Sequence, residues 1–424
     1  MPQTLTPSTR RVSTAKWDDL RTLSFTMPSL DESLSAELDD LAARSLCRQL
    51  VPAQPCGHTI TRQGRTLINL AGNDYLGLSD HPRLKQAAVD AIQTYGVGSG
   101  ASRLVTGTCT LHTQVEADFA KFKHAPASLI LPTGFMANLA ALTALAGKGD
   151  ILCLDKLCHA SLIDAAKLSG AQVRTYPHLE LSKLQRLLEN HAAASPKARR
   201  FIVTDSVFSM DGDCANLPAL CDLADQYHAS LVVDEAHATG VLGPDAGGLA
   251  EHQGAAERVY TAGAGGLMVS TASKALGSLG GIISASQTLI DALVNKARPL
   301  IYTTAIPPAQ AAVIGEAIRV VRDEPDRPEK LRAISTAVRH RLREQGWPLP
   351  GKENDPPTPI VPLIVGQPEQ ALALSNTLGD AGFLALPIRP PTVPPGSARV
   401  RLALRWDLSD DEITRLCAAV DQHG

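Results

Sequence analysis

The chain has 424 residues, of which 44% are hydrophobic and 20% charged, a balance typical of a soluble globular protein. This length exceeds one ordinary core, so it predicts two lobes, or one large α/β domain with a smaller appendage. The formal net charge of −3 gives no indication of a nucleic-acid partner or of an anionic membrane surface.

Cysteine usage and hydropathy predict a cytoplasmic protein. The eight cysteines are scattered without a Cys-x-x-Cys pair, which favours reduced thiols over a disulfide framework or a zinc site. The N-terminus lacks the apolar segment of a secretory signal. The least charged stretch, 125–147, is interrupted by Pro132, Gly134 and Asn138, and therefore predicts a loop and a buried helix instead of a membrane span.

Taken in chain order, the sequence predicts a helix over 29–50, after a polar start, and then alternating strands and helices. The predicted strands are 66–70, 128–131, 151–154, 173–176, 201–205 and 231–234, and the predicted helices are 82–95, 111–122, 136–146, 161–168, 181–190 and 217–227. Short apolar strands separated by helices imply a mainly parallel sheet that is covered on both faces.

Composition shifts predict four parts of the chain. Residues 1–30 form a flexible extension, 31–85 an N-terminal helix and arm, 86–322 a large domain, and 323–424 a small α+β domain. Pro325 and Pro328 mark the last boundary, and helices over 330–345 and 410–420 are predicted beyond it.

The stretch from Leu267 to Gly281 places Lys274 among small residues, between an apolar run and glycines. Burial disfavours the charged form of lysine, which makes the amine a nucleophile or base near neutral pH. The alternative is a surface lysine on a glycine-rich loop. A catalytic role for Lys274 is favoured by two other residues: Asp234 ends an apolar strand, and His237 follows three residues later. An amine that forms a Schiff base, a carboxylate and a partner for the ring are the groups that bind pyridoxal phosphate (PLP).

Other residues fall where a parallel sheet binds ligands, beyond the carboxyl ends of its strands. His159 and Ser209 each follow a predicted strand, and Gly134 lies between a strand and a helix N-terminus that could hold a phosphate. Arg389, Arg399 and Arg401 bracket a proline-rich segment and offer forks for a carboxylate. Arg399 and Arg401 share one strand face, which leaves open that one of them is an ordinary surface residue.

Three rival motifs fail on their context. Asp234-Glu-Ala-His237 also matches the acidic box of helicases, but that reading needs an upstream phosphate loop, and the near match at 346–353 lies downstream and ends in Glu. The glycines of 96–100 follow a helix and are misplaced for a dinucleotide fingerprint. Thr271-Ala-Ser-Lys274 resembles the Ser-x-x-Lys of serine acyltransferases, but its partner motifs are absent from the sequence.

Together these residues resemble the α-oxoamine synthases, a family of fold-type-I PLP enzymes that join an amino acid to an acyl thioester with loss of carbon dioxide. The resemblance covers residues 69–404. Four stretches are most similar to the biotin-pathway branch of the family: Gly72-Asn-Asp-Tyr-Leu-Gly77, Gly98-Ser-Gly-Ala-Ser-Arg-Leu-Val-Thr-Gly107, Leu300-Ile-Tyr-Thr-Thr-Ala-Ile-Pro-Pro308 and Ile388-Arg-Pro-Pro-Thr-Val-Pro394. The expected fold is α/β, with a large domain built on a mainly parallel seven-stranded sheet and a smaller C-terminal α+β domain.

The resemblance implies the roles of the cofactor-binding residues. Lys274 is the Schiff-base amine and later the base, Asp234 pairs with the pyridinium nitrogen, His237 contacts the phenolic oxygen, and His159 stacks on the ring. The resemblance further assigns the phosphate and the remaining cofactor contacts to Gly134, Phe135, Thr271 and Ser209, and to Thr303 and Thr304 acting from the other subunit of a homodimer.

The same resemblance implies L-alanine and a pimeloyl thioester, carried on coenzyme A or on an acyl carrier protein, as substrates. Arg401, with Arg389 as the alternative, is expected to hold the amino-acid carboxylate; Thr392 and Asn73 line the substrate site, and Arg48 contacts the acyl chain. Two other readings stay open: a sister synthase that uses glycine, serine or another acyl chain, and a silent PLP-fold scaffold. The sequence departs from the family at Arg405-Trp-Asp407, where smaller residues are usual.

Overall fold

The protein is described by a computed structural model over residues 28–352 and 354–421. Its contacts divide the chain into two compact units, with the boundary in the sequence between Leu50 and Val51. The four-part division expected from the sequence stays a prediction. Across the described residues, no helix combines the length and apolar character that spanning a membrane requires.

The first unit contains helix α1, Leu30–Ala43, which begins at a reciprocal cap. The backbone N–H of Glu32 donates to Ser29 Oγ at 3.2 Å, and the N–H of Ser29 donates to the Glu32 carboxylate at 2.7 Å. The predicted helix over 29–50 is therefore correct at its start and too long at its end. Ser45 adopts a left-handed backbone with φ of 55°, which ends the helix although leucines continue the apolar spacing.

In the second unit, the described strands are β1 Ala53–Cys56, β2 Thr59–Arg62, β3 Arg65–Asn69, β4 Ala127–Leu131, β5 Ile151–Asp155, β6 Gln172–Tyr176, β7 Arg200–Asp205, β8 Ala229–Asp234, β9 Gly266–Thr271, β10 Gly281–Ala285, β11 Ile360–Gly366, β12 Phe383–Leu384, β13 Leu386–Ile388 and β14 Ala398–Ala403. Its helices are α2 Pro82–Tyr95, α3 Thr110–Phe122, α4 Gly134–Leu145, α5 Ala160–Leu168, α6 Leu181–Ala194, α7 Leu217–Tyr227, α8 Leu249–His252, α9 Ala256–Thr261, α10 Gln287–Lys296, α11 Arg298–Ile301, α12 Pro308–Asp323, α13 Asp326–Glu344, α14 Pro368–Asp380 and α15 Asp410–Asp421.

A mainly parallel sheet forms the centre of this unit. Within the described chain its seven strands lie in the order β4-β10-β9-β8-β7-β5-β6, and β10 alone is antiparallel to its neighbours. Every residue of β5, β7 and β9 is buried, because helices cover both faces. Alternate residues supply the two hydrophobic cores: Val233 packs in the larger core, and Val232 in the core beneath α4 and α5.

Two smaller sheets flank the central one. In the described residues, four strands pair in the order β1-β2-β3-β12 and three in the order β11-β14-β13. β3 near the N-terminus pairs in parallel with β12, which is more than three hundred residues further along the chain. Residues 53–80 are thus joined by hydrogen bonds to the C-terminal α+β segment, and the N–H of Ala403 donates to the carbonyl of Leu70 at 2.8 Å.

His178 links two acidic segments near the carboxyl edge of the central sheet. Its Nδ1 lies 2.9 Å from Asp155 at the end of β5, and its Nε2 lies 2.8 Å from Asp213, which follows β7. Burial lowers the pKa of His178, but the hydrogen bonds to both carboxylates outweigh burial and raise it to about 10. The imidazolium is therefore charged at neutral pH and holds the two segments together.

We expect His178→Gln to lower the free energy of unfolding by about 3 kcal/mol near neutral pH, since a paired buried charge loses its partner. Because the pKa of His178 is higher in the folded protein than its unfolded value of 6.5, protonated His178 stabilises the fold fully below pH 6.5. This stabilisation is lost as the pH rises through about 10. Urea unfolding across that window should show the difference from the unsubstituted protein shrinking with pH. His340→Gln, at an exposed pair with Glu344, is the control; a pH-independent difference contradicts the assignment.

Candidate active site

A cleft opens at the carboxyl edge of the central sheet, where β4, β5, β7, β8 and β9 end. Parallel strands bring their following loops to one edge, so segments distant in sequence meet there. The cleft is lined by Thr133, Gly134, Phe135, Asn138, His159, Ser161, Asp205, Asp234, Ala236, His237, Thr271, Ser273, Lys274 and Leu279.

Lys274 occupies a tight turn after β9 and directs its amine into the cleft. The Lys274 carbonyl accepts from the N–H of Gly277 at 2.9 Å, and Gly277 has a φ of 63°. A Cβ on Gly277 would lie 2.4 Å from the backbone nitrogen of Ser79, so this turn requires glycine. Burial lowers the pKa of Lys274 to about 8, although the carboxylates of Asp234 and Asp205 act to raise it. The alternative of a surface lysine is wrong.

Two buried carboxylates end neighbouring strands below this amine. Asp234 Oδ2 accepts from Asn138 Nδ2 at 2.6 Å, and Asp234 Oδ1 accepts from the N–H of Ala236 at 2.8 Å. The Asp205 carboxylate accepts from the N–H of His159 at 3.1 Å. Burial, followed by the charge of Asp234, raises the pKa of Asp205 well above its usual range.

His237 lies against Lys274 and continues into a buried polar network. Its Nε2 is 3.0 Å from Lys274 Nζ, and its Nδ1 is 2.8 Å from the hydroxyl of Tyr75. Arg401 Nη2 donates to the Tyr75 hydroxyl and to Asn73 Oδ1, both at 3.1 Å. Burial, together with the positive charges of Lys274 and Arg401, lowers the pKa of His237 well below its ordinary value. The imidazole is therefore neutral.

His159 forms another wall of the cleft. It precedes α5, and its Nδ1 lies 2.7 Å from the hydroxyl of Ser161, which fixes the plane of the ring. Burial lowers the pKa of His159, so this ring is also neutral and can stack on a flat ligand.

The N-terminus of α4 faces the same cleft. Thr133 caps it by accepting from the N–H of Met136 at 3.1 Å, while the first-turn N–H groups of Gly134 and Phe135 have no acceptor inside the helix. A Cβ on Gly134 would lie 3.3 Å from the Cβ of Thr271, so glycine keeps this approach open. Exposed N–H groups at the positive end of a helix dipole are suited to a phosphate.

Comparison with known proteins agrees with this geometry. Residues 65–420 match the family described as aminotransferase class I and II. The chain belongs to the aminotransferase class I and II family. It is 41% identical over 399 residues to an 8-amino-7-oxononanoate synthase from Geobacter sulfurreducens, covering 93% of this chain and 98% of that protein. It is also 41% identical to one from Methylococcus capsulatus, over 91% of this chain and 97% of that protein.

Solved structures show the same fold. A serine palmitoyltransferase from S. paucimobilis with a bound PLP–myriocin aldimine has a TM-score of 0.85 and 26% identity, over 93% of this chain and 97% of that chain. An 8-amino-7-oxononanoate synthase from Francisella tularensis has a TM-score of 0.71 and 29% identity, over 84% of this chain and 97% of that chain. The predicted fold class, an α/β PLP transferase of fold type I, is confirmed.

In this member of the aminotransferase class I and II family, most of the predicted cofactor-binding residues meet in one cleft. They are Gly134, Phe135, His159, Asp234, His237, Thr271 and Lys274. Ser209 adjoins this group through its carbonyl, which accepts from Arg401 Nε at 2.6 Å. Arg401 is thus held at the cleft by Ser209 and by the Tyr75–Asn73 pair, whereas Arg399 is ion-paired with Asp211 at 2.6 Å.

Other predicted residues lie outside the lining of the cleft. Arg389 and Thr392 share the turn after β13, where the N–H of Thr392 donates to the Arg389 carbonyl at 3.1 Å. Thr303 and Thr304 follow α11, and Thr304 forms an antiparallel bridge with Ser102. Arg48 is exposed in the first unit of the chain. The roles of these residues stay predictions.

The residues at 405–407, which depart from the family pattern, pack against the 72–80 turn. Arg405 is ion-paired with Asp407 at 2.8 Å and with Asp74 at 3.3 Å. The guanidinium of Arg327 lies 4.1 Å from the ring of Trp406. These side chains fasten the segment after β14 to the 72–80 turn, and none of them lines the cleft.

Three residues of the site were not assigned a function from the sequence. Asn138 lies one helical turn after Gly134, which places it on the same face of α4, and this spacing could have revealed it. Asp205 ends a strand just as Asp234 does. Tyr75 lies two residues after Asn73, but its contact with His237 joins positions 162 residues apart and has no local signal.

Proposed function

We propose that the chain is an 8-amino-7-oxononanoate synthase, a PLP-dependent acyltransferase that condenses L-alanine with a pimeloyl thioester and releases carbon dioxide. The observation that carries the proposal is that Lys274, Asp234 and His237 line one cleft, while Arg401 is joined to His237 through the hydroxyl of Tyr75. Support comes from the 41% identity to relatives of that name, against 26% to the serine palmitoyltransferase.

The residues of the cleft fit PLP. The free N–H groups of Gly134 and Phe135 suit its phosphate, the Asp234 carboxylate suits its pyridinium nitrogen, and the neutral ring of His159 suits its flat face. Asn138 Oδ1 is buried without a hydrogen-bond partner among the described residues, which is a feature of a polar site shaped for a ligand. Thr271 lies beside Gly134 and offers a hydroxyl near the phosphate position.

PLP, when bound, supplies a ring that accepts the electrons left on the amino-acid Cα. The protein supplies a base and an orientation. Lys274, with a pKa of about 8, has a substantial neutral fraction near neutral pH and can take the Cα proton on Nζ. Arg401 holds the carboxylate, which fixes the torsion about the Cα bond to be broken. Asp234, which accepts hydrogen bonds from Asn138 and from the N–H of Ala236, would hold the pyridinium nitrogen.

The proposal includes the assembly and the second substrate. We propose a homodimer in the cytoplasm, in which Thr303 and Thr304 contribute to the phosphate site of the partner subunit. Thr303 and Thr304 lie outside the cleft of their own chain, as a role in the partner requires. Arg48, which is exposed, is proposed to contact the acyl substrate. Thr392 is proposed to line the substrate site, and Arg389 is the alternative to Arg401 for the amino-acid carboxylate.

The visible absorption spectrum of the PLP-loaded protein tests this function. We expect a band that shifts with L-alanine and much less with glycine or L-serine, and a product of the mass of 8-amino-7-oxononanoate when pimeloyl-coenzyme A is supplied. Lys274→Ala should bind PLP without turnover. A response chiefly to serine or glycine would instead identify a sister synthase, and appreciable turnover by Lys274→Ala would remove the lysine from the mechanism.

The rate at which cofactor-free protein captures PLP should follow the neutral fraction of Lys274. Below a pKa of about 8 that fraction rises about tenfold per pH unit, and above it the rate should level off. Stopped-flow absorbance across the pH range measures the break. Free Nα-acetyl-lysine is the control, and a rate for the protein that keeps rising to pH 10, as for an ordinary lysine, contradicts a depressed pKa.

Arg401→Ala should raise the KM for L-alanine by about 10- to 100-fold, since a charge-assisted hydrogen bond to the carboxylate is lost, and leave the KM for the acyl thioester nearly unchanged. Arg399→Ala is the matched control, because Arg399 lies two residues away on the same strand face and is engaged by Asp211. If Arg389→Ala raises the L-alanine KM and Arg401→Ala does not, the carboxylate is held by Arg389.

A further inference from the structure

The hydroxyl of Tyr75 lies at a junction between two parts of the site. Tyr75 is fully buried, and its oxygen is 2.8 Å from His237 Nδ1, 3.1 Å from Asn73 Oδ1 and 3.1 Å from Arg401 Nη2. His237 contacts Lys274 through its other nitrogen. One oxygen therefore connects the ring beside the amine to the arginine proposed to hold the substrate carboxylate.

Counting protons restricts how this junction can be arranged. A hydroxyl has one hydrogen and two lone pairs. Arg401 can only donate, and Asn73 Oδ1 can only accept, so the Tyr75 hydrogen points either to Asn73 or to His237 Nδ1. In the first arrangement Nδ1 carries the imidazole proton and donates to Tyr75, and Nε2 is an acceptor. In the second, Nδ1 accepts and Nε2 carries the proton.

The contacts of Lys274 and Asn73 favour the first arrangement in the structure as it stands. Lys274 Nζ can donate to Nε2 at 3.0 Å, which requires Nε2 to be an acceptor. Asn73 Oδ1 then accepts from both Tyr75 and Arg401, and the Tyr75 hydroxyl donates one hydrogen bond and accepts two. A buried hydroxyl with two possible acceptors thus selects the tautomer of a neutral histidine.

We propose that Tyr75 is a positioning residue that links the tautomer of His237 to the Arg401–Asn73 pair that holds the amino-acid carboxylate. This inference rests on the proposed function. A carboxylate at Arg401 competes for the Nη2 hydrogens that Tyr75 and Asn73 accept. If Asn73 turns its amide nitrogen toward the carboxylate, its Oδ1 no longer accepts from Tyr75. The Tyr75 hydroxyl then donates to His237 Nδ1, and the imidazole proton lies on Nε2, which faces the cleft. Amino-acid binding and the histidine tautomer are therefore thermodynamically linked.

Tyr75→Phe keeps the ring and removes the junction. We expect the dissociation constant of L-alanine, measured from the visible band of PLP-loaded protein, to rise about tenfold. The pH at which that band changes without amino acid should also shift, because His237 loses its partner. In an Asn73→Ala background the same substitution should change the constant by about threefold or less, since the two residues act through one network.

Tyr260→Phe is the matched control. Tyr260 is also buried, and its hydroxyl donates to the carbonyl of Lys123 at 3.0 Å, away from the cleft. Both variants lose one buried hydroxyl, so both should lower the thermal midpoint, and only Tyr75→Phe should move the L-alanine constant and the pH response. If Tyr75→Phe lowers only the thermal midpoint, the tyrosine is structural and the proposal is overturned. The same holds if its effect on the L-alanine dissociation constant is fully additive with that of Asn73→Ala.

A readout without cofactor separates this proposal from the proposed function. Solid-state ¹⁵N NMR of histidine-labelled, cofactor-free protein reports which nitrogen of each ring is protonated, and His237→Asn identifies the His237 signals. We expect a proton on Nδ1 in the unsubstituted protein and a mixture of tautomers in Tyr75→Phe. Identical His237 signals in both proteins overturn the role of Tyr75. Absence of any response to PLP or L-alanine instead defeats the proposed function and leaves the NMR result intact.

Discussion

Partial burial of a lysine amine beside buried carboxylates is the constraint on which the site depends. Burial lowers the pKa of Lys274, the carboxylates of Asp234 and Asp205 raise it, and the balance lies at about 8. Without the carboxylates, an amine in this position would be neutral and without electrostatic support; without burial it would stay protonated. Burial, followed by the charge of Asp234, raises the pKa of Asp205 well above its usual range. The cleft therefore combines an amine with a pKa of about 8 and a neighbouring carboxyl whose pKa is raised.

The parallel sheet makes this balance possible. Asp205 and Asp234 end neighbouring strands β7 and β8 in direct register, and Lys274 follows β9, the next strand. The strands fix the backbone from which the two carboxylates project, and the turn after β9, which requires glycine at position 277, fixes the position of the amine. The N-terminus of α4 reaches the same edge, since β4 lies two strands from β9. A phosphate position and a proton-transfer position are thus held on one rigid frame.

Features that depend on residues close together in the sequence could be predicted from it, whereas contacts between distant segments could not. The buried strands and the helices between them carry local periodicity, so α2 and α7 were predicted with their observed bounds and β4 to β8 within two residues at each end; β9 and β10 were not among the predicted strands. Asp234 ends a predicted strand, His159 and His237 follow predicted strands, and Lys274 was singled out by the small residues around it. The pairing of β3 with β12 and the contact of Tyr75 with His237 join distant segments, and no local pattern encodes either. The end of α1 was missed because Ser45 takes a left-handed backbone that an apolar repeat does not show.

The two halves of the site therefore have different structural origins. The amine, the carboxylates and the phosphate position belong to the central sheet, whereas Asn73 and Tyr75 come from the segment after β3, and Arg401 from β14. These last segments are fastened to each other by Arg405, Asp74 and the Leu70–Ala403 hydrogen bond. Contacts that join these segments to the loops after the central strands include Tyr75 with His237, Arg401 with the carbonyl of Ser209, and Arg399 with Asp211. If Arg401 holds the amino-acid carboxylate, as proposed, these contacts set its distance from Lys274 and, with it, the space left for the side chain of the amino acid.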